Sequence, residues 1–91
     1  MKTIDERINN LANNLDENDQ NRAVVIDIIL NLRKSHEDAC NRELSKQELY
    51  DLIFSKNNCL AIEGADNLSE DILQDIKNIQ EEIVDTYGLQ D

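Results

Sequence analysis

The sequence predicts an all-α fold, an antiparallel bundle of about four helices forming a single domain over residues 1–91. Three observations predict it. Apolar residues recur at three- and four-residue intervals along most of the chain. Thr3–Glu6 and Ser45–Glu48 have the form of capping boxes, which open helices. Proline is absent and glycine occurs only twice, which argues against barrels, sandwiches and glycine-rich nucleotide loops.

The first helix is expected over about 4–16. Thr3 can accept a hydrogen bond from an early backbone N–H while Glu6 reaches back to Thr3. Ile4, Ile8, Leu11 and Leu15 then form a narrow stripe, with Asn9, Asn10, Asn13 and Asn14 outside it. Asp16-Glu17-Asn18-Asp19 is a polar connection, in which Asn18 or Asp19 can cap the next helix.

That second helix, expected over about 19–40, holds the most apolar segment, Ala23 to Leu32. Its β-branched content would also suit a buried strand, and length arbitrates. Val24, Val25, Ile28, Ile29, Leu32, Ala39 and Cys40 share one helical arc longer than a strand's usual reach. Ile26 and Leu30 lie off that arc, one turn apart. They imply a second buried face, covered either by the segment Cys59–Ile62 or by a second subunit, and a homodimer is the expectation.

The third helix starts at the Ser45–Glu48 box, with Leu44 and Leu49 placed as a hydrophobic staple. Leu49, Leu52 and Ile53 continue inward, with Tyr50 and Phe54 alongside, and Lys56-Asn57-Asn58 weakens or ends it. Cys59-Leu60-Ala61-Ile62 is either a short extra turn or an extended piece. The last helix is expected after Gly64, with Asn67–Glu70 as its box, through Leu68, Ile72, Ile76, Ile79, Ile83 and Tyr87. Gly88 then suits a left-handed helix end, with Leu89 folding back on the last turn.

The formal charge is −11, from 20 acidic and 9 basic side chains. Leu, Ile, Val and Phe supply 26 of the 91 residues, enough for a folded core rather than a disordered acidic chain. No apolar run approaches the ~18–20 residues of a membrane span, and no basic-then-apolar leader pattern opens the chain. The two cysteines, Cys40 and Cys59, fit a reducing compartment better than a disulfide framework. A cytoplasmic protein with free thiols is expected.

Catalytic chemistry finds little support. Nucleophilic catalysis needs a nucleophile, a base and an orienting group held together, and His36 is the one histidine. His36, Cys40 and Cys59 could meet in a zinc site, yet no paired short-spaced ligand motif is present, so packing thiols are favoured and no metal or cofactor is expected. The stretches Glu37–Glu48 and Asp16–Asp27 fail as calcium loops, because Arg42 and Asn21 stand where such a loop needs glycine. Binding rather than enzymatic activity is the expectation.

Charge distribution points to a surface. Residues 1–56 carry 11 acids and 8 bases, whereas residues 57–91 carry 9 acids and only Lys77. On the last helix Glu70, Asp71, Asp75, Glu81, Glu82 and Asp85 share an arc of roughly 140° opposite the apolar stripe. Such a face either keeps the helix soluble or fits a basic protein groove. From Glu70 to Asp85 the rise is about 22 Å, one carboxylate per roughly 4–5 Å. A duplex offers one charge per about 1.7 Å, so a single such helix is too sparse to imitate DNA. The surface suits a protein with a basic face, without direct nucleic-acid binding and without membrane insertion.

The run of amphipathic helices, the polar connection near Asp16 and the ending Ile83-Val84-Asp85-Thr86-Tyr87-Gly88 resemble the small immunity proteins of class II bacteriocin systems. The resemblance implies a cytosolic antiparallel four-helix bundle that protects a sugar-transporter receptor against the secreted peptide. Thr86 departs from the basic residue expected there, and the family is more often basic than acidic. In type rather than motif, acidic helical inhibitors of nucleic-acid-binding enzymes are also similar. The leading reading is a small acidic interaction protein of immunity, antitoxin or inhibitor type; the alternative is a structural or regulatory homodimer joined through apolar faces.

Overall fold

A computed structural model describes residues 2–13, 15–16 and 18–90. These residues form an all-α fold with four α-helices, α1 (Ile4–Asn9), α2 (Arg22–Asn41), α3 (Lys46–Asp51) and α4 (Glu70–Tyr87). Shorter 3-10 and π turns join them. Among the described residues there is no strand, only an isolated backbone bridge between Ser45 and Leu89.

The first helix is shorter than its apolar stripe suggests. Thr3 caps it, its hydroxyl accepting from the Glu6 N–H at 3.1 Å. The return half of the box is made between side chains, with the Thr3 hydroxyl donating to the Glu6 carboxylate at 3.3 Å. After Asn9 the chain tightens into a 3-10 turn, Asn10–Ala12. A run of asparagines, which favour the helix interior poorly, accompanies the change; Asn13 donates to the Asn10 side chain at 2.7 Å. Asn14 and Glu17, within the expected helix end and polar connection, lie outside the described residues.

Helix α2 begins three residues later than expected because Asp19 builds a turn in front of it. Its carboxylate accepts from the Asn21 N–H at 2.8 Å, and its carbonyl accepts from the Arg22 N–H at 3.0 Å. Contacts with α1 run in opposite chain order: Arg22 donates to the Leu15 carbonyl, Arg33 to Asn9, and His36 meets Asp5.

The Ser45–Glu48 capping box forms in full, at 3.1 and 3.2 Å. Helix α3 then widens into a π turn over Leu52–Lys56, closed by the Asn57 N–H on the Leu52 carbonyl at 2.8 Å. Cys59–Ala61 is a 3-10 turn, which settles the two alternatives left open by the sequence.

Two expectations about chain reversals are corrected. The cap of α4 is Ser69, whose hydroxyl accepts from the Ile72 N–H at 3.4 Å, because Asn67 is used in a separate 3-10 turn, Ala65–Asn67. Gly88 is not left-handed: its φ of −67° and ψ of 128° carry the chain out extended. Leu89 then pairs through its backbone with Leu44 and Lys46 at 2.9 and 2.7 Å, leaving its side chain 51% exposed rather than folded on the last turn. Gly88 is needed for space, since a Cβ there would sit 2.6 Å from the Val84 carbonyl oxygen.

The left-handed residue is Gly64, at φ 93°. A Cβ at that position would meet Val24 Cγ2 at 2.9 Å. Gly64→Ala is therefore expected to cost at least ~1–2 kcal/mol, from the left-handed backbone alone. A chemical-denaturation midpoint equal to wild type would refute that assignment.

One core joins all four helices. Ile8, Val25, Ile28, Leu49, Cys59, Ile76, Ile79 and Ile83 each have no exposed surface. Gln80 is also fully buried, its amide donating to the Ile53 carbonyl at 3.4 Å and to Asn58 Oδ1 at 3.2 Å. It ties α4 to the π turn and the segment after it. No helix of the described residues is long and apolar enough to cross a membrane.

Candidate functional site

Ser69 and the acidic first turn set α4 in place, and its isoleucines fix its rotation. Ile76, Ile79 and Ile83 are buried, so the opposite side of the helix faces outward. Glu70, Asp71, Asp75, Glu81 and Asp85 are exposed, and Glu82 is half-buried. All six sequence-derived candidates therefore belong to one outward band of the same helix.

The structure divides that band by partner. Arg7 of α1 reaches Asp75 at 3.7 Å and forms a close ion pair with Glu82. These side chains remain partly open to solvent, so the pairs contribute on the order of 1 kcal/mol or less. Their chief effect is local neutralisation at the α1 edge. Among the described residues Glu70, Asp71, Glu81 and Asp85 have no cation within ion-pair distance. Lys77, the one base on α4, is exposed at the far edge of the band.

Beside the two downstream members lies a feature that the sequence reading placed only alongside the third helix. Tyr50 of α3 is 49% exposed and stacks on Phe54 with ring centroids 4.5 Å apart. With Glu81, Val84 and Asp85 it lines a groove of about 240 Å³ between α3 and α4. An exposed aromatic ring next to unpaired carboxylates offers a cation both a π face and counter-charges. The i, i+4 spacing of Tyr50 and Phe54 was the available signal.

His36, Cys40 and Cys59, weighed as zinc ligands, do not form a three-ligand set among the described residues. His36 is held by Asp5 at 2.9 Å through Nδ1 and by the Tyr87 hydroxyl at 3.1 Å through Nε2, which links α1, α2 and α4. Cys59 is buried in the core against the Gln80 amide at 3.5 Å, while Cys40 is exposed. Among the described residues no group of three His, Cys, Asp or Glu side chains is arranged to hold a metal.

Burial pushes the Cys59 thiol from 9.0 up to about 12, against a smaller opposing effect of a backbone hydrogen bond. Tyr87 is also raised, first by its hydrogen bond with Cys40, then by burial and by the nearby Cys40 and Asp5 charges. A native-state thiol titration at neutral pH should modify Cys40 alone, with Cys59 joining only in denaturant. Equal labelling rates would contradict the burial of Cys59. Because the folded value of Cys59 is raised, its share of stability is complete below pH 9.0 and lost as pH rises toward about 12. Stability should therefore decline through that alkaline window, and less steeply in Cys59→Ala.

Ile26 and Leu30 are 42% and 56% exposed. The Cys59–Ala61 turn packs on α2 without covering them. Comparison with protein-family models, with curated proteins and with solved structures finds no match to this chain.

Proposed function

We propose that this is a small acidic binding protein of immunity, antitoxin or inhibitor type, which occludes a basic surface of a partner protein with the outward band of α4. The observation that carries the reading is the quartet Glu70, Asp71, Glu81 and Asp85, without an ion-pair partner among the described residues and exposed on a helix whose apolar stripe is already satisfied in the core. Tyr50 supports it, because an exposed tyrosine flanked by charge is the composition of an interface anchor. Lys or Arg side chains of the partner would lie along the quartet, with one of them reaching the Tyr50 groove. Arg7 provides an internal precedent, since it already engages two carboxylates of the same helix.

This reading assigns binding rather than catalysis, a cytoplasmic location, no cofactor and no direct contact with nucleic acid or membrane lipid. The resemblance to small bacteriocin immunity proteins supports the type of function. The test is capture from the native cell with two baits, wild type and a variant carrying Lys at positions 70, 71, 81 and 85. A protein retained by wild type at low salt, released by salt and absent from the variant's capture supports the reading. The same proteins on both baits would refute it.

A further inference from the structure

We propose that the outer face of α2 pairs with the same face of a second copy of this chain, antiparallel and centred on Leu30. The inference concerns α2 alone and does not rest on the reading of α4. Ala23, Ile26, Asp27, Leu30, Lys34 and Glu37 are all exposed and lie within an arc of about 100° on a helix of 20 residues. Leu30 and Ile26, at 56% and 42% exposure, are the exposed large hydrophobic side chains of that helix. Among the described residues none of Asp27, Lys34 and Glu37 takes part in an ion pair.

The order of residues about Leu30 selects the occupant. When two copies of the ridge run antiparallel about a two-fold axis at Leu30, the two Leu30 side chains meet at the centre. Ile26 then packs beside the Leu30 pair on one flank of the seam, and on the other flank Asp27 lies opposite the ammonium group of Lys34 from the second copy. Ala23, small and exposed, leaves room for Glu37 of the second copy. Each contact occurs twice, as an isologous interface requires. Asp27 and Lys34 lie within about 20° of one another around the helix, so both fall on the same flank of the pair. A parallel pairing would instead hold Asp27 about 10 Å along the axis from Lys34 of the second copy, and on the opposite flank, so the ion pair is lost.

Sedimentation equilibrium of the full chain over a roughly hundredfold concentration range tests the proposal. Wild type should show a reversible dimer, and Leu30→Lys should weaken it at least about tenfold while circular dichroism stays helical. Asp27→Lys changes the formal charge from −11 to −9 and Lys34→Asp changes it to −13. Each should weaken the dimer about tenfold, and the double variant, back at −11, should recover to within about threefold of wild type. If net charge alone governed association, Asp27→Lys would strengthen it. A monomeric wild type throughout the range, a dimer indifferent to Leu30→Lys, or no recovery in the double variant would each overturn the proposal.

Discussion

Ile76→Ala is expected to lower the unfolding free energy by ~2–5 kcal/mol, the usual range for truncating a buried isoleucine. Ile76 has no exposed surface and sits at the middle of α4's apolar stripe, within the cluster that joins α4 to the other helices. A chain of this length has a total stability of roughly 5–14 kcal/mol, so one truncation removes a large share of it. Thr86→Ala, on an exposed position of the same helix, should stay within about 0.5 kcal/mol of wild type. Urea unfolding of the two variants compares them directly. Equal midpoints would mean that α4 is not held by its isoleucines, and its outward band would lose its physical basis.

Reversing the quartet is expected to have the larger functional effect. Lys at positions 70, 71, 81 and 85 changes the formal charge from −11 to −3 and touches no buried side chain. Steered association with a basic partner should slow by roughly 10- to 1,000-fold at low salt. Asp75 and Glu82 are deliberately spared, because lysines there would confront Arg7 and confuse lost binding with lost stability. Reversing Asp16, Glu43, Glu63 and Asp66 is the matched control, with the same charge change on exposed connections. Surface plasmon resonance against the captured partner should show the quartet variant losing far more than the control. Equal losses would reduce the effect to net charge.

How much of this was legible before the structure depends on the kind of signal. The all-α class follows from periodicity and from Ser45–Glu48, because a capping box and a heptad-like stripe report local backbone geometry directly. Helix ends were less legible where asparagines favour the helix interior poorly, as at Asn9–Asn13, and where an Asx turn at Asp19 delays the next helix. Gly88 misled because left-handed termination is only one reason for glycine; here the close approach of Lys46 and the Val84 carbonyl requires it. The burial of Gln80 had no sequence signal, because its partners come from the π turn and the Asn58–Cys59 segment, a tertiary fact with no sequence period. The acidic band was legible residue by residue. Its division was not, since Arg7 is 68 positions from Asp75 in the chain and pairing at that distance leaves no local pattern.

If the α4 carboxylates that lack a cation among the described residues steer and hold a basic partner, salt must slow that association. The association rate constant of the wild-type protein with that partner, measured from about 0.05 M to about 0.5 M salt alongside the quartet variant, tests it most directly. Wild type should show a steep fall as screening shortens the reach of the carboxylates, and the variant a nearly flat, slow response. Parallel salt dependences of similar magnitude for the two proteins would contradict it.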